Sequence, residues 1–152
     1  MTTARDKHRF EIIEKITQAT VIALPPILIE SELETMVAEM RHETGRLGFP
    51  FDKYLEQLKK TETELKREWQ PQAEQRVKTG LILAAIAKAE KIDAPKEELE
   101  TELKRLLEQH PKANPDRARA YLAGLIINER VFRLLESIST SDREKKEDAI
   151  SQ

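Results

Sequence analysis

The chain has no cysteine, which removes both a disulfide framework and thiolate chemistry. Glycine occurs only four times and aromatic residues make up 5 %, while the charged 36 % is mostly Glu and Lys; this suits helices rather than sheets. No apolar run approaches the roughly 20 residues that span a bilayer. The first residues are polar and lead into an amphipathic stretch, unlike a signal peptide. Nor is there an excess of one charge: 26 Lys and Arg face 28 Asp and Glu, for a net charge of −2, and the two signs are interspersed along the chain. Nucleic-acid binding normally needs a basic face, so no nucleic-acid partner is expected. A soluble, cytoplasmic protein with no membrane partner is the plain inference.

Catalytic signatures are missing as well. There is no Gly-rich phosphate loop, no nucleophile elbow and no His-x-x-x-His on a helix. His8, His42 and His110 lie far apart and share no metal-ligand spacing, so each reads as a lone surface histidine. Pairs such as Glu97-Glu98 and Glu62/Glu64 read as helix-start carboxylates rather than an acid/base couple. No catalytic residue, cofactor site or metal site is expected, and the protein is not expected to be an enzyme.

What the sequence does contain is helix signal in quantity. The residues 76–92 include an unbroken apolar run from Leu81 to Ala87, rich in alanine and flanked by charges. A helix apolar on all sides needs neighbours on all sides, so this stretch is expected to be a central helix with the chain packed around it. Upstream, Phe10, Ile12, Ile13 and Ile16 predict a first amphipathic helix over about 5–19. Pro26 opens a second that runs to about Thr44, where Gly45 supplies a stop. A short helix over 52–59 follows. Thr61 and Glu64 form a capping box for the next one, which Pro71 should kink or interrupt on its way into the central stretch. A helix with Leu99, Leu103, Leu106 and Leu107 on its buried edge follows Pro95. Asn114-Pro115 caps the last, in which Gly124 should let another helix approach closely. The expectation is an all-α fold of about six helices, as a single domain over 1–139 with a polar, frayed tail over 140–152.

Apolar residues exceed what these stripes require. Ile22, Leu24, Leu47, Phe49 and Phe51 fall in connections, and Ile29, Leu33, Met36 and Met40 recur four, three and four residues apart on the second helix. Methionine is flexible and polarizable, which suits a surface that adapts to varied apolar partners. Ile29, Leu33, Met36, Met40, Leu47, Phe49 and Phe51 are therefore the candidate peptide-binding residues. The plain alternative is that they fill the domain's own core.

The order of segments resembles the C-terminal, substrate-binding domain of bacterial trigger factor. The resemblance rests on Lys7-His8-Arg9 through Ile16, on the Pro26-Ile27-Leu28-Ile29 start with Glu32-Leu33, on 45–58, and on the Lys60 to Leu65 helix start. Its most specific part is Pro71-Gln72-Ala73-Glu74-Gln75-Arg76-Val77-Lys78-Thr79-Gly80-Leu81-Ile82-Leu83, with Arg130 to Leu135 near the end. It implies a helical body with protruding helical arms, and an ATP-independent chaperone that holds exposed apolar segments of unfolded or nascent polypeptides. The arms are expected over 26–69, with the turn at 45–51 near a tip. The family's ribosome-docking domain and its FKBP-like prolyl isomerase domain have no counterpart here, so neither stable ribosome binding nor isomerase activity is expected. An exposed apolar cradle also implies weak self-association, roughly micromolar. The alternative function is a helical adaptor or structural protein that binds one defined partner helix.

Overall fold

The structure, a computed structural model, describes residues 3–151. Among these residues there are six helices and no strand: α1 (Ala4–Ala19), α2 (Pro26–Arg46), α3 (Phe51–Leu58), α4 (Glu62–Ala89), α5 (Lys96–Gln109) and α6 (Pro115–Ile150). The expected all-α fold of six helices is the observed one. The chain separates, however, into two compact units. The hairpin unit is Ala19–Leu81, with α2, α3 and most of α4; the terminal unit holds α1 and the chain from Ile82 onward.

In the hairpin unit α2 and α4 run antiparallel, held by ion pairs between them: Arg41 to Glu62, Lys66 to Glu34, and Arg76 to both Glu32 (2.9 Å) and Glu39 (3.2 Å). Between them lie two small cores. Leu33 and Met36 meet Ala73, and Val37 meets Phe51 and Leu65. The capping box of α4 is formed in both directions. The Glu64 N–H donates to the Thr61 hydroxyl (3.2 Å), and the Thr61 N–H donates to the Glu64 carboxylate (2.9 Å). Helix α4 continues through Pro71 without a break. The proline removes one hydrogen bond, but Leu65 before it and Ala73 after it are both buried, and their packing keeps the helical path.

Helix α2 does not stop at Gly45, which is its penultimate residue. The turn is made three residues later by Gly48, whose φ of 73° lies in the left-handed region. The Gly48 N–H donates to the Gly45 carbonyl (2.9 Å) and the Phe49 N–H to that of Thr44 (2.8 Å), the paired closure of a Schellman motif. The same closure recurs with a lysine in the glycine position. Lys59 (φ 53°) ends α3, and Lys91 (φ 52°) follows α4. At the latter the Ile92 N–H donates to Ala87 (2.8 Å) and the Lys91 N–H to Lys88 (3.3 Å).

The terminal unit has one core built from Ile13, Leu83, Ala87 and Val131, which Ile92 and Phe132 flank. A second, of Leu103, Ala118 and Leu122, lies between α5 and α6. The alanine-rich stretch is not covered on all sides: Ile82, Leu83 and Ala87 are buried, whereas Ala84 and Ala85 are exposed. Alanine's helix propensity, not burial, accounts for their place there, because a methyl group exposes little apolar surface. Gly124 likewise admits no neighbouring helix; a Cβ built on it would meet nothing within 4 Å. Asn114 does cap α6, accepting from the Arg117 N–H at 3.0 Å. Helix α6 then runs on to Ile150, well past Ser139, where the apolar pattern in the sequence stops. Beyond that residue the described side chains are exposed, so the extension rests on backbone hydrogen bonds and helix-forming Glu and Lys without a packed face.

Helix α1 is fixed to α6 by charge as well as by Ile13. Its start is a reciprocal Thr3/Asp6 cap (3.0 and 3.1 Å), and the Thr3 hydroxyl (2.7 Å) and then the Thr3 N–H, both donating to the exposed Asp6 carboxylate, hold it below its ordinary value. One turn on, the Arg9 guanidinium grips Glu129 with two bonds (2.6 and 2.9 Å) and Glu136 through Nε (2.6 Å). It also lies 5.3 Å from the centre of the Phe132 ring. Glu129, Phe132 and Glu136 sit three and four residues apart, on one face of α6. Arg9's hydrogen bonds hold both carboxyls down to about 2, from 4.5, and Arg9 itself is held above the usual guanidinium value, chiefly by Glu129.

These contacts set how stability should respond to pH and to the left-handed lysine. A depressed carboxyl contributes stability that is present above pH 4.5 and lost as pH falls toward 2. Glu136→Gln should therefore melt below the wild type at pH 7, by roughly 1–2 kcal/mol, intermediate between an exposed and a buried pair. Melts repeated down to pH 2 should show that gap closing. Lys91→Gly should raise stability by up to ~1 kcal/mol, since glycine takes the left-handed region without a Cβ penalty but loses more backbone entropy. A lower melting temperature for this variant would show that the lysine is not strained.

Candidate peptide-binding surface

The α2 stripe divides by depth. Leu33 and Met36 are 8 % and 6 % exposed, and Phe51 is 5 % exposed at the start of α3. These three are core residues of the hairpin unit, with little surface to offer a partner while the unit stays folded. Ile29, Met40 and Phe49 are half-buried. Ile29 flanks the Leu33/Met36/Ala73 cluster, and Met40 flanks the Val37/Phe51/Leu65 cluster. Leu47 is 74 % exposed, because the α2 closure passes it on the outside of the turn. The seven candidates thus fall on one unit but not on one surface.

Where the stripe does reach solvent it forms an open groove of about 360 Å³ between α2 and α4. Met36, Met40 and Trp69 line it, with Glu39, Glu43 and Arg76 among the polar residues around them. Trp69 is not among the sequence candidates, although it falls four residues after Leu65 and four before Ala73 on α4. That spacing could have placed it on the same face. Arg76 is not free at the groove, since Glu32 and Glu39 both hold it.

Further apolar side chains of this unit are open to solvent. Ile27 is 68 % exposed and Leu28 is 39 % exposed in the first turn of α2, and Val21 is fully exposed in the connection before it. The terminal unit has its own open groove, of about 370 Å³, along α1 and the later part of α6, with Ile12, Leu135 and Ile138 in its lining. These surfaces are shallow, apolar at the base and charged at the edge. They can bury side chains one or two at a time. Among the described residues, no group of three or more His, Cys, Asp or Glu is placed to hold a metal ion. No helix there is long and apolar enough to cross a membrane.

Comparison with known proteins gives these surfaces a family. The model of the bacterial trigger factor C-terminus matches residues 2–131. The trigger factor of Caldicellulosiruptor saccharolyticus is 30 % identical over 154 aligned residues, covering 96 % of this chain and 35 % of its own length. That of Carboxydothermus hydrogenoformans is 36 % identical over 105, covering 69 % of this chain and 25 % of its own. The chain therefore spans about a third or less of these relatives. A solved structure titled as domains of trigger factor from Thermotoga maritima superposes with a TM-score of 0.53 at 21 % identity, covering 86 % of this chain and 80 % of that one, a likeness of fold. With a family model matched over most of its residues, the chain belongs to the bacterial trigger factor C-terminal family.

Proposed function

We propose that this chain is an ATP-independent holdase, binding exposed apolar segments of unfolded or nascent polypeptides. The observation that carries the reading is the open Met36/Met40/Trp69 groove, together with solvent-exposed Ile27, Leu28 and Leu47 on the same unit of a trigger factor-family chain. Each apolar contact is worth about 25 cal/mol per Å² buried, so shallow surfaces hold a client by summing weak contacts and release it without nucleotide. Several such surfaces on one chain raise the effective concentration at each. Of the seven sequence candidates, Leu47 and Met40 are assigned to client contact and Ile29 and Phe49 to its margins. Leu33, Met36 and Phe51 mainly hold the unit together, with Met36 also flooring the groove.

The test is suppression of aggregation when two unrelated, guanidinium-unfolded clients are diluted into the chain without ATP. The wild type should slow aggregation of both. Ile27→Ser with Leu47→Ser, or Met40→Glu alone, should weaken suppression several-fold, with the melting temperature shifted little for the exposed pair. Phe51→Ser should instead destabilise by about 3–5 kcal/mol, as large-to-small changes in a core do. If the folded Ile27/Leu47 and Met40 variants suppress as well as the wild type, the surface is wrongly assigned. Activity toward one client only would favour an adaptor with a single partner, and no activity toward either would sink the holdase reading.

A further inference from the structure

Two stretches of chain cross from one compact unit to the other. One crosses at Gln18/Ala19, at the very end of α1, and leads directly into residues 20–25, which have no helical structure and leave Val21 fully exposed. The other is α4, an unbroken helix through the boundary at Leu81/Ile82. A non-helical connection accommodates changes in the separation of its ends, whereas a helix transmits orientation until it bends. How far the units can reorient therefore depends on α4 at the boundary.

At that place α4 has Gly80, one residue before the last residue of the hairpin unit. Glycine inside a helix needs a reason, because it is among the poorest helix formers. The usual local reasons are missing. Its φ is not positive, and a Cβ added there would meet nothing within 4 Å, so neither backbone conformation nor a close neighbour requires it. Its exposed position also lets water reach the backbone carbonyls at a bend. Buried residues lie on either side, Val77 in one unit and Ile82 and Leu83 in the other, so bending at Gly80 leaves both cores packed.

We propose that Gly80 is a hinge in α4, about which the hairpin unit and the terminal unit reorient as intact bodies. Its use would be to let each unit carry its apolar surface to clients of different extent. That use rests on the holdase reading; the hinge does not.

The absence of native cysteine makes the measurement direct. Nitroxide labels on Gln57→Cys and Gln109→Cys, both exposed, report between the units, and labels on Gln57→Cys and Gln75→Cys report within the hairpin unit. Pulsed electron spin resonance on the full chain should give a broader distance distribution between units than within one. Gly80→Ala should narrow the inter-unit distribution markedly, leave the intra-unit one unchanged and keep the helical signal. An inter-unit distribution as narrow as the intra-unit control would show one rigid body and overturn the proposal. Equal inter-unit breadth with and without the Gly80→Ala substitution would place the bending elsewhere and overturn the assignment to this residue. All these readings are made without a client, so a failed aggregation assay leaves them intact.

Discussion

Helix α4 supplies buried side chains to both compact units: Leu65 and Ala73 to the hairpin cores, Leu83 and Ala87 to the terminal core. The hairpin cores and the Ile13/Leu83/Ala87/Val131 core do not close without it; only the Leu103/Ala118/Leu122 core is made by α5 and α6 alone. Most helical stability in a folded protein comes from packing of a buried face rather than from propensity, so α4 depends on both cores as much as they depend on it. This mutual dependence explains why the helix is continuous through Pro71. The alternative, ending the helix there, would withdraw Ala73 and Val77 from the hairpin unit.

The cores themselves are small, each a handful of Leu, Val, Ile, Ala, Met and Phe side chains, and charge reinforces them at their edges. The Arg9 cluster is the clearest case. A guanidinium presents its donors in a flat fork, so Arg9 binds Glu129 through two nitrogens and Glu136 through Nε while lying over a ring. The Arg76 bridge to Glu32 and Glu39 does the same for the hairpin unit beside the groove. With these pairs carrying orientation, apolar side chains such as Leu47 and Ile27 can remain at the surface without being needed for folding.

Much of this was legible in the sequence, and what was not has definite causes. Helix starts were clear because local chemistry sets them: Pro26, the Thr61/Glu64 box and Asn114-Pro115 each act within one turn. Periodicity identified the α2 stripe but not its depth, because Met36 and Met40 share a face and only the course of α4 and α3 decides which is covered. The stop read at Gly45 falls three residues early, because Gly48 is the residue with positive φ and the closing hydrogen bonds form around it. The apolar run at 81–87 misled by its alanines, which count as apolar yet are tolerated in water. The Arg9 cluster joins residues more than a hundred positions apart and has no local signal at all.

That last separation has a consequence for the order of events during synthesis. The hairpin unit is complete once Leu81 has emerged, and its contacts are between neighbouring helices. The terminal unit cannot close until Glu136 is available to Arg9, 127 residues later in the chain. At ~5–20 residues per second, the 55 residues between Leu81 and Glu136 take roughly 3–11 s, far longer than a small helical unit needs to fold. For that interval α1 is an amphipathic helix without its partner, tethered to a unit that is already folded.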